Sequence, residues 1–368
     1  MNSNPKSEEN SEAIEGLGEN EKSPWADYPI DTLLIRNEIR TVYDILRGIE
    51  KGSFIMNPDF QRDFIWPQDK QSKLIESVLM RIPLPVFYLG ENREGQMMVV
   101  DGLQRLSTFR RFVNNELQLK LPDQPELDKK RFEDLLPKFQ NRIEDCNLIF
   151  YVIDGKLPEQ ARLDIFDRVN SGVPLTRQQM RNSLYSGWAT RFLREEAETQ
   201  IFLAATGKSL NAKTMRDREF VNRFCAFRLL PQKEYKGDMD DFLAQVLIKM
   251  NDLEEDDLKK LSMEFQTGLS NNFKVFGDHA FRKHLEGRDR RSPLNVGLWD
   301  TMSTGLSRYS EQLVEERADL LSGVFFGLMD DKDFNESITS GTNHTKKVHH
   351  RFSVIGEVFR EVFGDYPD

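Results

Sequence analysis

The chain has 368 residues, 38% hydrophobic and 30% charged, with a net charge of −10, a length that allows two domains of ordinary size. No apolar run approaches the ~18 residues needed to cross a bilayer, and no apolar h-region opens the chain, so a cytoplasmic protein with no membrane partner is expected. The negative balance excludes nucleic-acid binding through a uniformly basic surface, which draws on phosphate neutralisation, but leaves room for a local basic cleft: residues 51–120 hold ten Lys/Arg against eight Asp/Glu.

Residues 1–24, rich in Glu, read as a disordered acidic tail, with order beginning near Trp25–Ile35. Thr41-Val42-Tyr43-Asp44 has the form of a capping box with Asp in place of Glu. Val42, Ile45, Leu46 and Ile49 then recur at helical spacing, and Gly52 stops the helix. Ser53–Met56 reads as a short strand. Pro67 opens a second helix with Leu74, Ile75, Val78 and Leu79 on its apolar face, and Pro83 and Pro85 bracket its end. Val86–Leu89 and Met97–Val100 read as strands joined by a polar turn at Glu94-Gly95. Asp101-Gly102 follows directly, and the pattern turns helical through Leu106, Phe109, Phe112 and Val113. Leu148–Ile153 is a further strand. A helix from about Pro158 ends at Asn170-Ser171-Gly172, and Thr176 caps the next. Beyond residue 185 helical periodicity dominates. Cys146 and Cys225 each sit in an apolar stretch and read as inert thiols.

The strand–glycine–helix junction carries the chemistry. A helix N-terminus presents unpaired N–H groups and partial positive charge, which suit phosphate, and Gly102 lets the backbone approach a ligand. Arg105 would grip phosphate, with Ser107 and Thr108 adding hydroxyls. Asp101 would hold Mg²⁺ or position water, and Gln104 would orient that water. The same residues admit a structural reading in which Asp101 caps the helix and Arg105 makes an ion pair. Phe60-Gln61-Arg62, with Trp66 beyond, offers donors and a stacking ring, or a core cluster. Asn170 is either a C-cap or a site residue; Arg181 lies on a helix that would reach the same cleft. Of the five histidines, none has a zincin-like spacing to Glu; His344, His349 and His350 admit metal binding but fit a solvent-exposed reading better. In the helical half, Arg282, Lys283, Arg288, Arg290 and Arg291 form a basic run, either a solvated face or the best nucleic-acid contact there.

Together these clusters resemble the N-terminal domain of GmrSD-type restriction endonucleases, a domain that also occurs in the defence protein SspE. The elements are Gln61-Arg62, Trp66, Ile82-Pro83-Leu84-Pro85, Asp101-Gly102-Leu103-Gln104-Arg105, Phe166–Asn170 and Met180-Arg181-Asn182, with Arg216–Glu219 and Arg223 resembling a further one. The resemblance spans roughly residues 30–230 and implies a ParB/sulfiredoxin-like fold for a nucleotide-handling domain over 25–195; with the helical periodicity beyond residue 185, which sets an all-helical domain over 196–368, the chain reads as α+β. It implies that the Asp-Gly-x-Gln-Arg loop binds and hydrolyses a nucleoside triphosphate, with Mg²⁺, in a restriction or anti-phage system that senses or acts on DNA, modified DNA included. Gln61, Arg62, Asn170 and Arg181 would complete the pocket. Leu103 stands where the family usually has Gln, which would weaken hydrolysis while leaving binding intact, and the His-containing nuclease domain that often follows in relatives is not apparent in these residues. A non-catalytic DNA reader working with a separate nuclease subunit is therefore the alternative, and a homo-oligomer fits either reading.

Overall fold

The computed structural model describes residues 14–17, 35–56, 66–92, 95–157, 159–169, 176–284 and 290–365. Gln61, Arg62, Asn170 and Arg288 lie outside these residues. The chain is α+β and divides into two compact units. A sheet unit comprises Pro24–Leu175 with Met180–Leu184, and a helical unit comprises Met1–Ser23, Thr176–Gln179 and Tyr185–Asp368.

The sheet unit runs β1 (Ile35–Thr41), α1 (Val42–Glu50), β2 (Phe54–Ile55), α2 (Gln68–Leu79), β3 (Phe87–Glu91), β4 (Met97–Asp101), α3 (Leu103–Val113), α4 (Pro137–Glu144), β5 (Asn147–Ile153) and α5 (Glu159–Val169). The strands form one mixed sheet in the order β1-β5-β3-β4-β2. β1–β5 and β3–β4 are antiparallel, and β5–β3 and β4–β2 are parallel. The expected capping box is present. Thr41 Oγ1 accepts from the Asp44 amide at 3.1 Å, and the Asp44 carboxylate accepts from the Thr41 amide at 3.3 Å. This satisfies two groups that a helix start leaves orphaned and turns Val42, Ile45 and Leu46 inward. The apolar faces of α1, α2 and α3 close over Phe87, Leu89, Val99, Leu148, Phe150 and Val152 in one core. Along β5 the period-2 alternation is explicit: Leu148, Phe150 and Val152 are buried, while Asn147 and Ile149 are exposed. β1 and α4 have no counterpart among the elements expected from the sequence.

The helical unit contains α6 (Arg177–Leu184) only as far as Gln179, then α7 (Trp188–Ala197), α8 (Gln200–Thr206), α9 (Arg216–Leu229), α10 (Met239–Asn251) and α11 (Glu255–Phe276). A helical run follows, in which Val296–Leu298 passes into a π-helical turn at Trp299–Ser303 and on to Thr304–Leu306. Then come α12 (Glu311–Glu316), α13 (Ala318–Asp330), α14 (Lys332–Thr339) and α15 (Thr345–Phe363). The expected cap at Thr176 is present, its Oγ1 accepting from the Gln179 amide at 3.2 Å. Trp299 is fully buried among Phe202, Phe220, Phe265 and Phe281. Beyond residue 185 the described residues hold isolated bridges and no strand, as expected. One bridge corrects the tail reading: Glu15, placed by sequence in a tail without order, pairs with Asn295. Its amide donates to Leu294 O at 2.7 Å, and its carbonyl accepts from the Val296 amide at 3.0 Å.

Candidate functional site

The junction between β4 and α3 has the expected form. Gly102 is left-handed, with φ 102°, and a Cβ there would lie 2.2 Å from Cδ1 of Phe87, so only glycine fits the turn. No side chain caps α3, and its first turn carries no acid. Its leading N–H groups are the orphans that every helix start presents.

Arg105 takes a different place from the one its sequence context suggests. Its side chain turns inward over the Phe87 ring, with Cζ 4.1 Å from the centroid, and only 8% of the residue is exposed. Nη1 donates to Pro85 O, and Nη2 donates to Val86 O at 3.1 Å and to Asp101 Oδ2 at 2.8 Å. Burial pushes the guanidinium below its ordinary value, and Asp101 pulls it back up. The open, phosphate-gripping Arg105 is therefore corrected. The guanidinium ties the Pro85-Val86 backbone to the end of β4, and the structural alternative of an Asp101–Arg105 ion pair holds. Thr108 is corrected as well: it is buried, and its hydroxyl donates to Gln104 O one turn back. Ser107 is half-buried. Gln104 uses Oε1 to accept from the Trp66 amide at 2.9 Å, which leaves its amide nitrogen as the group it can offer a ligand. Leu103 is half-buried against the core of the sheet unit and presents no polar group. Asp101 keeps its carboxylate about one-third exposed. Its Oδ1 has no hydrogen-bond partner among the described residues.

Two aromatic residues here escape the sequence reading. Tyr88 is the register partner of Asp101 across β3–β4, and Tyr151 is the partner of Tyr88 across β3–β5. Their rings lie 5.6 Å apart and tilted by 31°. Adjacent aromatics on paired strands are the signal that would have found them, once the strand order was known. Arg181 is fully buried, with 1% of the residue exposed, and the reading that lets it reach into a cleft is set aside.

The basic run of the helical unit is also corrected. Arg282 is buried, and its guanidinium donates to Ser292 O, Thr206 O and Ser209 Oγ. Lys283 Nζ is held by Glu15 Oε1 at 2.9 Å, Asn335 Oδ1 at 2.7 Å and Thr339 Oγ1 at 2.6 Å. Both residues bind their own unit and are withdrawn as DNA contacts. Arg291 donates to Ser209 Oγ at 3.3 Å, while Arg290 is exposed. Of the histidines, His349 and His350 are exposed, as expected, and His344 caps α15 through Nδ1. Among the described residues no group of three His, Cys, Asp or Glu side chains is placed to hold a metal. Nor is any helix there long and apolar enough to cross a membrane.

No curated protein and no solved structure matches the chain. Residues 42–186 match the family model described as "GmrSD restriction endonuclease, N-terminal domain", a span that runs from the start of α1 to just past α6 and contains the Gly102 junction. Residues 42–186 therefore carry a domain of the GmrSD restriction endonuclease N-terminal type.

Proposed function

We propose that the sheet unit is a nucleotide-binding module of a DNA restriction or anti-phage system, which hydrolyses a nucleoside triphosphate in the cytoplasm and works with a separate nuclease subunit. We extend the α+β assignment to a ParB/sulfiredoxin-like arrangement. The observation that carries this reading is the combination at one turn of an uncapped α3 start, a left-handed Gly102 and an Asp101 carboxylate with one oxygen outside its ion pair. Phosphate would lie on the leading amides of α3, where the partial positive charge of the helix favours an anion. Gln104 would donate its side-chain N–H to a phosphate oxygen, and Ser107 would add a hydroxyl. A lone carboxylate suits Mg²⁺, which keeps several waters and binds through one or two carboxylates together with substrate phosphate; such an ion would neutralise charge on the phosphates. Arg105 acts as a positioning residue that holds Asp101 and the Pro85-Val86 backbone in register. Tyr88 and Tyr151 offer ring faces to a base.

Leu103 favours a second reading, in which nucleotide binds without turnover and DNA sensing is the output. Phosphate release from each of the four ribonucleoside triphosphates with Mg²⁺ separates the two. Wild-type release well above that of Asp101→Asn supports hydrolysis. Equal background from both proteins, with nucleotide still bound in equilibrium dialysis, leaves the reader. Equal background without binding removes the nucleotide site.

A further inference from the structure

A second positively charged surface lies elsewhere in the sheet unit. Where α2 ends, beside α4 and the start of β5, lies a concave surface of about 600 Å³. Its lining includes Arg81, Lys138 and Arg142 against one carboxylate, Asp145. Arg81 and Lys138 are exposed. Neither has an ion-pair partner among the described residues, nor does Arg142. Arg142 is half-buried and anchored by donating one N–H to Leu79 O at 2.8 Å. Lys138 and Arg142 stand over the Phe139 ring, 4.8 and 5.7 Å from its centroid. That contact holds the two charges in place without neutralising them. A chain with a net charge of −10 thus carries a three-to-one positive hollow.

Arg81 adds an independent observation. It sits at φ 61° just past α2, with its amide donating to Val78 O at 2.9 Å and the Ile82 amide to Ser77 O at 2.9 Å. This is the left-handed helix ending at which glycine is the ordinary residue. An arginine there holds a conformation that glycine would adopt at lower cost.

We propose that this hollow docks the sugar–phosphate backbone of duplex DNA, with Arg81, Lys138 and Arg142 each meeting a phosphate. The proposal rests on the DNA-directed part of the functional reading and not on the Gly102 junction. A polyanion fits better than a single phosphate because the concavity is open and its three cations come from two separate segments, the residue after α2 and the helix α4. Contacts of this kind position a duplex without reading its sequence, and each contributes to the salt dependence of binding.

The test is fluorescence anisotropy of a short labelled duplex with the full chain, over a range of salt, for wild type, Lys138→Ala and Arg81→Gly. Removing either cation should weaken binding and lower the slope of log affinity against log salt by about one. Arg81→Gly should do so while raising the melting temperature, which a merely structural role for Arg81 would not produce. Phosphate release is measured in parallel on the wild type without DNA: absence of hydrolysis together with intact duplex binding leaves this proposal standing, since the hollow and the Gly102 junction are read out separately. Wild-type affinity and slope in both cation variants would overturn it, as would absence of duplex binding at low salt. Displacement of the duplex by polyglutamate at matched charge would overturn it too, in favour of an acidic protein, for which the exposed Met80, Ile82 and Leu136 nearby would be the anchors.

Discussion

The guanidinium of Arg105 and the missing side chain of Gly102 solve one problem from two sides, because both pack on Phe87. The ring occupies the space a Cβ at position 102 would need, and its face receives the charge that fixes Asp101. The turn is thereby held by a buried, hydrogen-bonded cation whose partners are two main-chain carbonyls and one carboxylate. Gly102→Ala should therefore combine left-handed strain with a clash against a ring at 2.2 Å. Such overpacking and strain together cost about 2–4 kcal/mol. Urea denaturation of the variant measures it, and a loss of under half a kilocalorie would mean that β4 and α3 can shift apart to admit a methyl group.

At the scale of elements, what the sequence discloses follows from where the bonding partners lie. The capping box of α1, the β4–Gly102–α3 junction and the alternation of β5 are written in residues a few positions apart, and all three are as expected. β1 was not legible: Ile35 and Ile39 are exposed, and Arg36, Glu38 and Arg40 pair with one another along an edge strand, so no buried face marks its period. α4 buries only Ile143 and shows no apolar stripe. Arg105 and Arg282 escaped for another reason, since the main-chain carbonyls that hold them, Pro85 and Val86 for one and Ser292 and Thr206 for the other, are revealed by no side-chain pattern. Arg223 shows the same limit. The π-helical turn at Trp299–Ser303 brings Asp300 against it, with Nε and Nη2 of Arg223 at 2.7 and 2.6 Å and Nη2 of Arg351 at 2.7 Å. All three residues are at most 1% exposed. Asp300→Asn would leave two buried guanidinium groups without their carboxylate, a loss of about 3–5 kcal/mol for a broken buried pair. A urea midpoint close to wild type would show that water reaches the cluster.

Over the whole molecule, burial sets carboxyl chemistry differently in different places. In the sheet unit Glu38, between Arg36 and Arg40, and Asp44, bonded to Thr41, are held below their ordinary values; for Glu38 burial opposes the two arginines and is outweighed by them jointly. In the helical unit burial pushes Glu196, Asp217 and Asp238 up. For Glu196, on α7, hydrogen bonds from Ser262 and Gln266 on α11 only partly oppose that rise. A carboxyl whose folded value lies above its unfolded one binds more protons in the native state. The stability it contributes is thus largest at low pH and falls as pH rises from the unfolded value through the raised folded one. Glu196→Gln removes the titration while leaving most of the packing between α7 and α11. Whatever the neutral amide changes at fixed pH, the stability of the variant relative to wild type should increase as pH is raised from about 4 to neutrality and then level off. Thermal melts of the two full-length proteins across that range measure the difference directly. A difference that stays constant, or a variant that loses stability relative to wild type as pH rises, would mean that Glu196 is solvated in the native state, and that the contact between α7 and α11 is looser than its hydrogen bonds imply.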